Sequence, residues 1–273
     1  MKPELQRRVQ KYGWDYSSPY YESGWQRQLW PAQARLLEAA NICSGEEVLD
    51  ISCGTGLVTF PIAETVGVEG SVTAIDLSEG MIEKAGKIAK ERNITGVNFQ
   101  AMDAEELDFA DESFDLAINS LGLMYYPDPD TANLEMFRVL RAGGRAAALV
   151  WGRRKACGWA EIFPIVDRRV KTDVCPLFFQ LGTGGNLQRS FEKAGFSEVT
   201  TDRFDVTLHY DSDEEAIIGA FLGGAVALAY RKFDESTKRE AHEEYLESIE
   251  PYHDGEGHFD IPGEFVIVTG RKI

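Results

Sequence analysis

The residues with chemistry to offer begin at a glycine turn. From 48 to 58 the chain reads VLDISCGTGLV. Val48, Leu49 and Ile51 frame Asp50 and read as the end of a buried strand. Ser52, Gly54 and Gly56 follow at alternate positions, and Leu57, Val58, Phe60, Ile62 and Ala63 open a helix. Glycine lets the backbone come close to a ligand, and a helix N-terminus offers free N–H groups to an acceptor. Three more hydrogen-bonding side chains, Asp76, Asp103 and Asn119, each close an apolar run downstream. Carboxylates and amides at the ends of successive strands gather along one edge of a sheet, where they can grip a small polar molecule.

The elements that position them follow from the apolar pattern. Strands are expected at Val48–Ile51, 71–78, 97–107, 113–126 and Arg145–Trp151. Helices are expected at 57–66, from Glu79 to about Arg92 with Ser78 as N-cap, and through Leu140 with Thr131 as cap. RAGG at 141–144 is read as a turn. Alternating strands and helices make a parallel sheet covered on both faces, with ligands at its carboxyl edge.

Upstream, residues 1–30 carry Tyr12, Trp14, Tyr16, Tyr20, Tyr21, Trp25 and Trp30. The segment either packs into a groove or closes as a lid that excludes water. Pro31 is expected to open the helix PAQARLLEAANI, with Ala34, Leu37 and Ile42 on one face. Downstream, the pattern gives a helix at 158–170 interrupted near Pro164 and an apolar loop at 176–187. A helix ending at Ala194 with Gly195 as stop comes next, then a strand at 198–210 and helices at 213–230 and 235–249. A loop at 251–262 and a last strand at 264–272 complete the chain. With no internal repeat or low-complexity linker, one domain over 1–273 is expected. It divides into an aromatic lid and helix (1–44), a ligand-binding core (45–151), a mixed substrate-side and helical insertion (152–258) and a final strand (259–273).

Composition narrows the partners. A formal charge of −17 disfavours nucleic acid, whose phosphates need clustered cations. The one dense basic run, Arg153–Arg154–Lys155, reads as a solvated loop. The apolar stretch 217–230 is shorter than a membrane span and holds three glycines. The N-terminus lacks the apolar core of a signal peptide, so a cytoplasmic protein is expected. Cys43, Cys53, Cys157 and Cys175 form no Cys-x-x-Cys pair, so no metal site is expected, and they read as reduced, mostly buried thiols. His209, His242, His253 and His258 read as structural or surface residues, and no catalytic base is nominated. Tyr125 and Tyr126, just past the fourth strand, are candidates to line an acceptor pocket.

Two ligand classes compete for a glycine turn followed by acids. A dinucleotide fingerprint needs a third glycine at position 59, which is Thr59. S-adenosylmethionine has no phosphate. Asp76 can accept hydrogen bonds from both of its ribose hydroxyls, and Asp103 can accept from the adenine amine, with the backbone of Ala104 completing the base contact. The turn leaves room for the methionine part, and Asp50 either meets its ammonium or only bonds the loop backbone.

VLDISCGTG, TAIDLSEGM, AMDAEEL, SFDLAINSLGLMYYPD and RVLRAGGR stand in that order over residues 45–151. In this the chain resembles the class I S-adenosylmethionine-dependent methyltransferases, and is similar to their ubiquinone and menaquinone biosynthesis group. EFVIVTGRK and the helix ending in KAGF match more loosely. The resemblance implies a Rossmann-like, doubly wound, mostly parallel seven-stranded sheet with an antiparallel last strand and a helical insertion or lid. It implies methyl transfer to a small-molecule acceptor by in-line displacement. It also implies that Gly54 and Gly56 line the methionine part, that Leu77 and Met81 pack near the adenine, and that Asn119 faces the cofactor. Tyr21, with Trp25 as second choice, is the aromatic expected to reach the cofactor. Ser52 departs from the glycine or alanine of many members, a tolerable change. A cofactor-binding regulator without turnover, or an oxidoreductase binding NAD, are the alternatives. Oligomeric state is not legible.

Overall fold

The computed structural model describes residues 2–170 and 177–273, so Cys175 and the first residue of the 176–187 loop lie outside the described residues. Seven strands form one sheet: β1 (Glu47–Ile51), β2 (Ser71–Asp76), β3 (Val97–Ala101), β4 (Phe114–Ser120), β5 (Leu140–Trp151), β6 (Ser197–Tyr210) and β7 (Phe259–Arg271). Their order is β3-β2-β1-β4-β5-β7-β6. β1 to β5 pair in parallel, and β7 runs antiparallel to both β5 and β6. This is the seven-stranded Rossmann-like architecture expected of the sequence. The order reverses between β1 and β4, and a crevice opens at such a switch point. The register places Asp50 beside Ala74 and Ile118, and Ile51 beside Ile75 and Asn119. The glycine turn, Asp76 and Asn119 therefore meet at one edge.

The helices are α1 (Pro3–Ser17), α2 (Tyr21–Ala40), α3 (Thr59–Val66), α4 (Glu79–Glu91), α5 (Pro129–Val139), α6 (Ile162–Asp167), α7 (Asn186–Ala194), α8 (Asp213–Ile217), α9 (Ala227–Tyr230) and α10 (Glu235–Ile249). Ser78 caps α4 by accepting the Met81 N–H, and Gly195 ends α7 in the left-handed region, both as expected. No helix among the described residues is long and apolar enough to cross a membrane.

Several boundaries differ, each for a local reason. Pro31 lies inside α2. An interior proline costs about 3 kcal/mol, but Leu29, Ala32, Leu36 and Ala40 form a fully buried stripe on both sides of it. That burial holds the helix through the proline; Leu36 is fully buried, and Leu37 packs against the core partly buried. β3 stops at Ala101 and β4 at Ser120. After β4, the Asn119 Oδ1 accepts the N–H groups of Gly122 and Leu123 and folds the chain into a 3-10 turn at Leu123–Tyr125. α5 is capped by Asp128, not Thr131, with Pro129 in its first position. RAGG belongs to β5, which starts at Leu140 with a bulge against β4. α6 is confined to six residues with Pro164 in its first turn. The expected helix at 213–230 breaks into α8, a π turn at Ile218–Leu222 and α9. A Cβ on Gly24 of α2 would lie 2.8 Å from the Gly219 Cα, so the break seats two backbones against each other. β7 begins at Phe259 because residues 259–262 pair with Thr207–Tyr210.

Beyond the end of β5, Glu264 is buried and binds two arginines. Its Oε1 accepts the Arg153 N–H (2.7 Å) and Arg203 Nη1 (2.5 Å), and Arg203 Nη2 also reaches the Gly182 carbonyl (2.7 Å). Burial pushes the Glu264 carboxyl up, but the Arg153 and Arg203 hydrogen bonds outweigh it and hold it at about 2. Glu264→Ala removes the carboxylate that ties Arg153 to Arg203 and leaves the Arg153 backbone N–H without its acceptor, and a lower midpoint in urea unfolding is expected.

Candidate functional site

The turn after β1 is bent by positive φ angles at Ser52 (61°), Gly54 (56°) and Gly56 (97°). Gly56 has a steric reason, since a Cβ there would lie 2.5 Å from the Phe60 ring. Asp76 ties the turn to β2. Its Oδ2 accepts the Gly54 N–H and its Oδ1 the Ser78 N–H, both at 2.9 Å. Burial lifts its carboxyl to about 6, partly offset by those bonds. Asp50 sits beneath the turn, fully buried. One oxygen accepts from the Thr59 hydroxyl at 2.5 Å, and the other has no partner among the described residues. Burial lifts it to about 7, against the Thr59 bond.

Above this edge lies a pocket open to solvent. Of the residues singled out from sequence, Tyr21, Trp25, Ser52, Gly54, Asp76, Leu77, Met81, Asp103 and Ala104 line it. Asp50 and Gly56 are not in the lining, Asp50 being buried beneath the turn and Gly56 packed within it against Phe60, and Asn119 stands behind the wall, fully buried with its amide spent on the 3-10 turn and on Tyr126. The far end is aromatic. Trp151 packs against Trp25 (5.9 Å) and Trp159 (4.8 Å), and Trp159 against Phe178 (5.7 Å), between ring centroids. Tyr125 and Tyr126 line the pocket as expected, and no histidine does among the described residues. His209 pairs with Asp260, His258 with Asp254, and His242 with the Tyr230 hydroxyl.

The roof is α1, whose role the sequence reading missed in detail. Arg7 forms ion pairs with Asp103 (2.8 Å) and Glu105, and Lys11 with Glu79 (2.6 Å). Asp15 accepts from the Ser78 hydroxyl (2.6 Å) and the Gly80 N–H (3.0 Å). Trp14 meets Tyr21 and Tyr125 edge-on at 5.9 and 5.1 Å. The available signal was the four-residue spacing of Arg7, Lys11 and Asp15, which puts all three on one helical face.

Residues 42–158 match a family model described as a methyltransferase domain. The chain is 40% identical over 133 residues to the aklanonic acid methyltransferase DauC of Streptomyces sp. (strain C5), a match covering 49% of this chain and 60% of that protein's length. It is 31% identical over 195 residues to the demethylmenaquinone methyltransferase of Staphylococcus aureus (strain JH9), covering 66% of this chain and 78% of that one. The chain belongs to the class I S-adenosylmethionine-dependent methyltransferases. Its fold is also that of phosphoethanolamine N-methyltransferase 2 of Haemonchus contortus, solved with S-adenosyl-L-methionine. The TM-score is 0.62 at 16% identity, over 95% of this chain and 57% of that one, a likeness of fold alone. In this chain the matched stretch holds the glycine turn, Asp76, Asp103 and the 3-10 turn. The aromatic end and α1 come largely from outside it.

Proposed function

We propose that the protein transfers a methyl group from S-adenosylmethionine to an apolar, ring-bearing small molecule. One observation carries this reading: the glycine turn latched by Asp76 opens into the same cavity as the aromatic end. The residues fit the cofactor. Asp76 spends one lone pair of each oxygen on backbone and retains acceptor capacity for a ribose diol. Leu77, Met81 and Ala104 offer apolar contact for an adenine, and Asp103 a carboxylate once Arg7 releases it. When bound, S-adenosylmethionine supplies a methyl group on a sulfonium, which a nucleophile takes by in-line displacement. The chain's own work is alignment and exclusion of water, and alignment alone is worth roughly 7–11 kcal/mol.

Thr59 stands at the third glycine position of a dinucleotide site and is wholly buried, its hydroxyl given to Asp50, so NAD gains no support there. The test is calorimetric titration with S-adenosylmethionine, followed by an assay of S-adenosylhomocysteine release across neutral aromatic and charged acceptors. Binding together with release on the aromatic set supports the proposal. Binding without release on any acceptor favours a regulator, and absence of binding ends the reading.

Closure by α1 has its own test. Deleting residues 2–17 spares α2 and removes the roof, and methyl transfer is expected to fall at least about tenfold as water enters. Unchanged turnover in the truncated chain contradicts a lid.

A further inference from the structure

Ser52 breaks a local rule. Its φ of 61° is the left-handed region, which is unfavourable for a non-glycine residue and persists where something else requires it. Its hydroxyl lies 2.6 Å from the Tyr126 hydroxyl. Across the crevice, Leu121 also has positive φ (63°), and a Cβ on Gly122 would fall 2.6 Å from the Ser52 Cβ and 2.9 Å from the Tyr126 oxygen. The turn after β4 is thus pressed down onto the turn after β1, and the two hydroxyls are brought together at the contact.

The protons of this pair can be counted. The Asn119 Oδ1 accepts two backbone N–H groups, which fixes its amide, and its Nδ2 donates to the Tyr126 oxygen at 2.7 Å. Two hydroxyl protons remain, and only one can lie on the Ser52–Tyr126 line. If Ser52 donates, the Tyr126 O–H is spare; if Tyr126 donates, the Ser52 O–H is spare. No other acceptor among the described residues takes it. Both residues line the pocket, so the pair presents one unspent donor to whatever occupies it.

The strand order says which part of a ligand arrives there. Asp103 follows β3, Asp76 ends β2, and Ser52 and Tyr126 follow β1 and β4. A nucleoside with its base at Asp103 and its sugar at Asp76 sends its tail across β1 toward β4. The tail of the proposed cofactor ends in an ammonium and a carboxylate. The pocket is rich in acids, and Arg7, the lining cation among the described residues, is already paired with two of them. A carboxylate therefore needs a neutral donor. Resting on the proposed cofactor, we propose that the Ser52–Tyr126 hydroxyl pair, set by Asn119, holds the carboxylate of the amino-acid tail of S-adenosylmethionine. Ser52 and Tyr126 are thereby determinants of cofactor recognition at a position where glycine would be conformationally easier.

Calorimetry with two stable ligands tests this without turnover. One is S-adenosylhomocysteine. The other is S-adenosyl-3-thiopropylamine, which keeps the ammonium and lacks the carboxylate. Ser52→Ala and Tyr126→Phe are each expected to weaken the first about tenfold and the second less than about twofold. Ser52→Gly, relaxed at positive φ, is expected to lose the same affinity while its melting midpoint holds or rises. Unchanged affinity for S-adenosylhomocysteine in both hydroxyl variants overturns the assignment. So does an equal loss for both ligands, which means that the turn has collapsed. A wild-type protein that binds neither ligand overturns the cofactor reading itself.

Discussion

Asp76→Ala is expected to weaken S-adenosylmethionine binding at least about tenfold, and about a hundredfold if both ribose hydroxyls donate to it, since each hydrogen bond to a charged group is worth roughly 1.5–3 kcal/mol. The substitution acts twice, because Asp76 also holds the Gly54 and Ser78 N–H groups. Asp76→Asn preserves shape and removes the charge but keeps only one of the two backbone bonds, since its amide donor then faces the other N–H, so its melting point is read beside its affinity. A large loss in both variants, with the asparagine protein melting near wild type, assigns the effect to the ligand. Unchanged affinity in both removes Asp76 from the site. The carboxyl titrates at about 6, so wild-type affinity is expected to fall as pH drops from 7 to 5. Protonation takes away the charged acceptor over that window. Calorimetry at pH 5, 6, 7 and 8 measures it.

The second large effect concerns the ligand-free protein, which is expected to be more stable at pH 5 than at pH 8. Burial raises Asp50 to about 7 and Asp76 to about 6, whereas an unfolded aspartate titrates near ~3.9. The folded state therefore favours the protonated forms. Their contribution is complete below about 4 and is lost as pH rises through 6 and 7. For Asp50 alone the shift corresponds to something on the order of 4 kcal/mol at pH 8. Glu264 does not disturb this window, because its carboxyl, at about 2, is ionised throughout it. Asp50→Asn removes the buried charge and keeps an acceptor for Thr59, at the cost of an amide donor placed where the partnerless oxygen stood. A net gain of about 2 kcal/mol at pH 8 is expected, with a flatter dependence of midpoint on pH. An Asp50→Asn protein that keeps the wild-type slope would show that the charge is solvated by another route.

What the sequence determined by itself is the part that depends on neighbours along the chain. Alternating burial, a glycine turn, the Ser78 cap and the Gly195 stop are local, and they are enough to put Asp76, Asp103 and Asn119 at the ends of parallel strands. Tertiary structure decided everything that needs two distant segments to meet. Pro31 stays helical because a buried stripe spans it, and the helix at 213–230 breaks because Gly219 is pressed on Gly24. Arg7 finds Asp103 across 96 residues, and Ser52 finds Tyr126 across 74. Asp50 turns under the loop to Thr59 rather than up into the pocket. Periodicity records whether a residue is covered, and the closure of long loops then selects what covers it. That selection is a property of the packed whole, and no stretch of the chain carries it alone.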